Sequence, residues 1–292
     1  MKRVKTITMI IWLASYPKSG NTWVRSFIVS LLSREDKKVD LEELSKIRQY
    51  PKRSDFKDLV KENDFEDIEK ISKNWIKSQE KINLDNKFIK IFKTHHTLCN
   101  IGDNFFTNYQ NTLGAIYIVR DPRSVVSSVG HHYSKNIDEA LEFILNDEMN
   151  VGIRKENSPL RDSHIITPIA SWGTHYNSWK LLKKNFLILK YENLISNPSL
   201  EFNKLSNYLE KNLKIKIDKK DIDKAIKKNS FENLKKIEGE RGFSESTIDD
   251  KGKKINFFNL GPNNNWKKLL NKNIIDKIEK KFSKEMSELG YL

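Results

Sequence analysis

The sequence predicts an α/β protein, a mainly parallel sheet flanked by helices, and three observations carry that prediction. Short apolar runs recur along the chain, at residues 7–14 (ITMIIWLA), Lys87–Lys93, Gly114–Val119 and Phe186–Leu189. The first is nearly all apolar, as expected of a strand buried on both faces of a parallel sheet. Stretches with helical spacing alternate with these runs. The ends of the runs carry groups of Lys, His, Arg and small polar residues, and open α/β sheets place their functional groups at strand C-termini.

The first strand runs into Tyr16-Pro-Lys-Ser-Gly-Asn-Thr-Trp23, after which Trp23, Phe27 and Leu31, with Ile28 and Leu32, recur at helical spacing. Ser19 to Thr22 therefore lie at a helix start, where free backbone N–H groups and the helix dipole favour an anion. Gly20 permits close backbone approach, Ser19 and Thr22 supply hydroxyls, and Lys18 a positive charge. The order is not GxxxxGK[ST], since the lysine precedes the glycine; this points away from an ordinary kinase or ATPase.

Further along, Phe65–Ile82 is amphipathic and reads as one or two helices flanking the sheet. The second strand, Lys87–Lys93, ends at Thr94-His95-His96. The third, Gly114–Val119, leads to Arg120-Asp121-Pro122 and a helix from Ser124; the fourth, Phe186–Leu189, precedes a helix after Asn197-Pro198. The stretch 238–265, rich in Asn, Gly and Lys, reads as a mobile loop rather than a linker. No internal repeat is evident, and residues 1–292 read as one domain.

Composition narrows the function classes. A single cysteine, Cys99, excludes an internal disulfide and a Cys-based zinc site and fits a reducing compartment. The basic head and apolar run at residues 1–14 have the form of a short signal peptide, but no A-x-A-like site follows, and cleavage there would remove the strand that feeds the anion loop. No stretch approaches the length of a membrane span. The net charge of +14 raises nucleic acid as a partner. Lysines are spread through nearly every segment among Glu, Asp and Asn, without a recognisable nucleic-acid motif, which favours a solvated basic surface with an anionic nucleotide ligand.

The segment YPKSGNTW resembles the 5′-phosphosulfate loop of the sulfotransferases that use 3′-phosphoadenylyl sulfate (PAPS), usually YPKSGTTW, with Asn21 standing where Thr is usual. Later segments resemble other parts of that family's site, in order and out to about residue 268. The resemblance implies a three-layer fold like that of the P-loop NTPases, PAPS as co-substrate and no metal. It implies that Lys18, Ser19, Gly20, Asn21, Thr22 and Trp23 bind the donor and that Arg120 and Ser128 hold its 3′-phosphate. An Arg fork with a hydroxyl is strong, charge-assisted phosphate recognition.

In FKTHH the family's catalytic base falls on His95 and its active-site lysine on Lys93, with His96 the rival base. LILKYENL places Tyr191 near the adenine, with Glu192 and Asn193 left to stabilise the turn. Lys228–Lys235 supplies Phe231, to stack on the purine opposite Trp23. The family's closing segment RKGxxGxWK is matched at Gly261, Trp266 and Lys267, whereas Asn259 and Leu260 replace its basic pair. Lys251, Lys253, Lys254 and Lys267 are the candidates to make up the loss, and backbone N–H groups around Gly261 offer another anion site. Arg123 has no matching role and is expected at the surface. The next helix departs from the family's dimer motif, so oligomeric state is not readable.

The implied reaction is transfer of a sulfuryl group to a hydroxyl or amine of a small-molecule, lipid or saccharide acceptor in the cytoplasm, with no nucleic-acid partner. His95 would take the acceptor proton, and Lys18, with Lys93, would neutralise the leaving phosphate oxygen. Acceptor pocket candidates are residues 34–87, Gly130–Ser171 with His131, His132 and Tyr133, and Trp172–Trp179. In the last, Trp172, His175, Tyr176 and Trp179 share one helical face, for which core packing is the favoured reading. The alternatives are a nucleotide-dependent phosphotransferase of the same fold and a basic nucleic-acid-binding protein without catalysis.

Overall fold

Four parallel strands make the central sheet: β1 (Ile10–Ser15), β2 (Ile91–Thr94), β3 (Thr112–Val119) and β4 (Phe186–Lys190), in the order β2-β1-β3-β4. The computed structural model describes residues 9–33, 39–84, 90–154, 159–183, 185–248 and 252–292. The signal-peptide reading and the start of the predicted second strand lie largely outside these residues. Trp12 pairs with Phe92 on one side and Ala115 on the other, so β1 is central.

Alternation explains why β1 is apolar throughout. Ile10, Trp12 and Ala14 face one core, with Tyr117, Tyr50 and Trp172; Ile11 and Leu13 face another, with Val24, Phe27 and Phe202. Both faces are covered by helices, as the sequence predicts. The Trp12 indole N–H donates to Thr112 Oγ1 at 2.9 Å, so this large ring is buried without an unpaired polar atom. Full burial of a side chain of this kind contributes roughly 1.5–3 kcal/mol.

Helix α1 (Asn21–Ser33) follows β1 directly, and α2 (Pro122–Tyr133) follows β3. Asp121 caps α2 by accepting from the Arg123 backbone N–H at 2.9 Å, and Pro122 takes the first turn, where no N–H partner is needed. Helix α3 (Trp172–Lys180) buries Trp172, His175, Tyr176 and Trp179 as the core stripe expected of that spacing. The predicted helical stretch at 65–82 resolves into Ile68–Ser72 and Trp75–Leu84.

The stretch expected as a loop at 238–265 is partly ordered structure. It begins inside α4 (Phe231–Arg241) and continues as a short antiparallel hairpin pairing Thr247–Ile248 with Lys254–Ile255. Buried Glu238 ties it down, accepting from Ser246 Oγ at 2.6 Å and from the Phe257 and Phe258 N–H groups at 2.6 and 2.8 Å. Among the described residues, no helix is long and apolar enough to cross a membrane.

Candidate active site

The C-terminal ends of β1, β2 and β3 converge on a cavity of about 500 Å³, which residues 244–247 and 257–261 also line. Its floor is the turn from β1 into α1. Lys18 adopts a left-handed backbone (φ 66°) and Gly20 lies at φ 103°. A Cβ on Gly20 would stand 2.6 Å from Tyr191 Cδ2, so both its φ and the close approach of that ring require glycine. Among the described residues, no acceptor takes the backbone N–H groups of Gly20, Asn21 or Thr22. Such unpaired N–H groups are what a helix start offers an anion.

Side chains around this turn are equally unpaired. Lys18 Nζ is buried without a hydrogen-bond partner, 3.6 Å above the Phe257 ring, and Ser19 Oγ and Arg120 Nε are buried and unpaired as well. Burial, with Lys93 and Arg120 nearby and Glu245 opposing, pushes the Lys18 ammonium down to about 7. Orphaned buried donors are costly, and several around one cavity fit an anionic ligand.

Arg120 and Ser128, paired by the resemblance, do meet, with Nη1 3.2 Å from Ser128 Oγ. The same Nη1 donates to Lys18 O at 3.1 Å, which joins this subsite to the first loop. The guanidinium lies 4.2 Å over the Tyr191 ring. Trp23, Tyr191 and Phe231 line the same cavity. Trp23 is fixed by its indole N–H to Asn229 O at 2.6 Å. Gly261 packs so closely on Phe231 that a Cβ would lie 2.2 Å from the ring.

His95 rather than His96 faces the cavity. His95 Nδ1 sits 2.8 Å from Ser15 O. A carbonyl only accepts, so Nδ1 carries the proton and Nε2 keeps its lone pair. Burial and then the Lys93 charge pull this imidazole well below its ordinary value of 6.5. His96 is fully buried and stacked 4.1 Å from Phe106, with Nδ1 on Thr97 O at 2.6 Å; it is a core residue. His175 is also buried, yet it matters: Nε2 donates to His95 O at 3.1 Å while Nδ1 accepts from Tyr117 Oη at 2.8 Å.

Two expectations need correction or refinement. Arg123 is buried rather than at the surface: it forks onto Asp121, pairs with Glu279 at 2.5 Å, donates to Tyr291 O and lies 3.9 Å over the Trp266 ring. It ties the C-terminal segment to α2. Asn21 turns its side-chain amide back onto β1: Nδ2 donates to Leu13 O at 3.0 Å and Ser15 Oγ at 3.2 Å, while its backbone N–H has no acceptor among the described residues.

The sequence reading missed Glu245. Its carboxylate accepts from Thr22 Oγ1 at 3.1 Å and from Arg25, and lies 3.3 Å from Lys93 Nζ. Burial alone would raise this carboxyl, but Lys93 and Arg25 hold it below the usual range. It missed Asn264 too, whose amide meets Ser128 Oγ at 3.1 Å. Of the lysines proposed to replace the basic pair, Lys267 lines a cleft adjoining Arg120 and Gly261, and Lys251 lies outside the described residues. Asn259 and Leu260 line the main cavity, where Asn259 O accepts from Lys235 Nζ at 2.8 Å.

Comparison with known proteins bears on what this cavity serves. The Sulfotransferase domain family matches residues 10–290, from the first residue of β1 almost to the C-terminus. The chain is 25% identical over 235 residues to sulfotransferase 1B1 of Canis lupus familiaris, covering 77% of this chain and 66% of that protein. It is 26% identical over 282 residues to cytosolic sulfotransferase 10 of Arabidopsis thaliana, covering 92% and 75%. A crystal structure of retinol dehydratase in complex with androsterone and inactive cofactor PAP aligns with a TM-score of 0.60 at 17% identity, covering 97% of this chain and 83% of that one. That likeness speaks for the fold, a P-loop-like parallel sheet between helical layers. Together with the family match across both core layers and the whole of the cavity, it gives the conclusion that this chain belongs to the sulfotransferase domain family.

Proposed function

We propose that this protein transfers the sulfuryl group of PAPS to a hydroxyl or amine of a small-molecule acceptor, releasing adenosine 3′,5′-bisphosphate (PAP). One observation carries the reading: unpaired buried donors at Lys18 and Arg120 mark two anion subsites of one cavity, beside an aromatic group of Trp23, Tyr191 and Phe231. Two anions and a flat ring are the footprint of a bisphosphorylated purine nucleotide.

The chain's own residues then have distinct tasks. The N–H groups of Gly20, Asn21 and Thr22 and the Lys18 ammonium hold the 5′-phosphosulfate and neutralise charge on the leaving phosphate oxygen. Arg120 and Ser128 hold the 3′-phosphate. His95 Nε2 accepts the acceptor proton as the acceptor oxygen or nitrogen bonds to sulfur, and the bond from sulfur to the phosphate oxygen breaks. Lys93, at the end of β2, adds positive charge beside the transferred group.

Supporting a polar acceptor, the wall beyond His95 carries Gln49, Arg161, His164 and Thr167 mixed with Ile153 and Tyr133. A saccharide or similarly hydroxylated molecule suits that mixture better than a lipid tail. We further take residues 1–292 as one sulfotransferase domain working in the cytoplasm, without a nucleic-acid partner; the single Cys99 and the cytosolic designation of the Arabidopsis relative support this.

The test is nucleotide selectivity in a thermal-shift titration. PAP should raise the melting temperature at concentrations where ATP with Mg²⁺ does not. ATP with Mg²⁺ displacing PAP would overturn the reading in favour of a phosphotransferase.

A further inference from the structure

We propose that Asn264 is a positioning residue for the nucleotide 3′-phosphate, one that frees the Ser128 hydroxyl proton for the ligand. The inference rests on the reading of Arg120 and Ser128 as the 3′-phosphate subsite.

Ser124 O lies within reach of three side-chain donors: Asn264 Nδ2 at 2.9 Å, Ser128 Oγ at 3.1 Å and Ser127 Oγ at 3.2 Å. A carbonyl has two lone pairs, and the i→i−4 ladder of α2 already claims one. Only one side-chain donor can be served well. Ser127 has another outlet, because its Oγ donates to Asn264 Oδ1 at 3.1 Å.

The amide orientation is fixed by the same neighbours. Turned over, Asn264 would point Oδ1 at Ser124 O, acceptor against acceptor. In the orientation present, one Nδ2 hydrogen covers Ser124 O and the other meets Ser128 Oγ at 3.1 Å. Ser128 Oγ also accepts from Arg120 Nη1 at 3.2 Å. With both lone pairs facing donors and Ser124 O covered by the amide, the Ser128 proton is surplus. It turns into the cavity that Arg120, Ser127, Ser128 and Asn264 line together. Beside it lies the buried, unpaired Arg120 Nε. A neutral amide thereby sharpens a phosphate subsite where Asn259 and Leu260 bring no charge.

Isothermal titration with PAP and with adenosine 5′-monophosphate, which lacks the 3′-phosphate, tests this. Asn264→Ala should lower PAP affinity about tenfold, the range of one hydrogen bond to a charged group, with less than about a twofold effect on the monophosphate. Asn264→Asp, close in shape, should cost PAP more than about 100-fold, because its carboxylate captures both serine protons and repels the phosphate. In a Ser128→Ala background, Asn264→Ala should add no further loss. Equal losses for both nucleotides, or a full additional loss in the Ser128→Ala background, overturn the role of Asn264 alone. Equal wild-type affinity for the two nucleotides removes the 3′-phosphate subsite itself, and the proposal with it.

Discussion

Ser15 and His95 are locked together across the β1–β2 edge: His95 Nδ1 donates to the Ser15 carbonyl at 2.8 Å, and Ser15 Oγ in turn accepts from Asn21 Nδ2 at 3.2 Å. The first turn of α1 is therefore tied to the segment that orients the imidazole. His95→Asn should lower kcat by about 10²–10⁴, the usual contribution of a general base, with PAP affinity nearly unchanged. The proposed base is the neutral imidazole, and burial followed by the Lys93 charge pulls its pKa well below 6.5. The acid limb of kcat/KM should accordingly fall below pH 6.5; a limb at 6.5 or above contradicts the burial argument.

Lys18 gives a second pH signature. In the free protein its ammonium titrates at about 7, mainly through burial. An anion against it restores the charged form, so binding above pH 7 must take up a proton. PAP affinity should fall by up to about tenfold for each pH unit above 7, and Lys18→Met should flatten that slope. Titration calorimetry in buffers of different ionisation enthalpy reads the proton uptake directly.

Glu245 engages Thr22, Arg25 and Lys93, side chains in the surroundings of the proposed phosphosulfate site. Glu245→Gln should therefore bind PAP several-fold more tightly. Stability should fall by about 1–3 kcal/mol, because buried Arg25 loses its counter-charge. Urea unfolding and calorimetry separate the two effects, and weaker PAP binding would show that the carboxylate organises the loop instead of competing for it.

Three glycines make a graded series. Gly20→Ala meets positive φ and the Tyr191 ring, and Gly261→Ala meets positive φ and the Phe231 ring. Each should destabilise by about 1–3 kcal/mol and weaken PAP binding. Gly239, inside α4 with nothing near a new Cβ, should accept alanine with a gain of about 0.5–1 kcal/mol. Thermal melts of the three variants with and without PAP check the ranking.

The parts of this site that can be read in the sequence are those carried by contiguous residues. The β1–α1 turn, the β2 end at His95 and the β3–α2 turn at Arg120 each combine a strand pattern with a local cluster of functional side chains. Glu245 and Asn264 escaped because their meaning is tertiary: one reaches Thr22 from more than two hundred residues away, the other reaches Ser128 from within the weakly matched closing segment. Arg123 misled for a related reason. A charged residue in a turn reads as solvent-exposed unless its partners Glu279 and Tyr291, far along the chain, are known. Asn21 was placed by its match to the loop pattern, whereas its longer amide side chain reaches back to Leu13 and Ser15.

The most direct measurement of the central claim is transfer of label from ³⁵S-labelled PAPS into a metabolite extract by wild type, His95→Ala and Lys18→Ala. Labelled product is expected with the wild type, and a loss of at least about 100-fold in each variant. Label transfer that persists near the wild-type rate in both variants would contradict the claim.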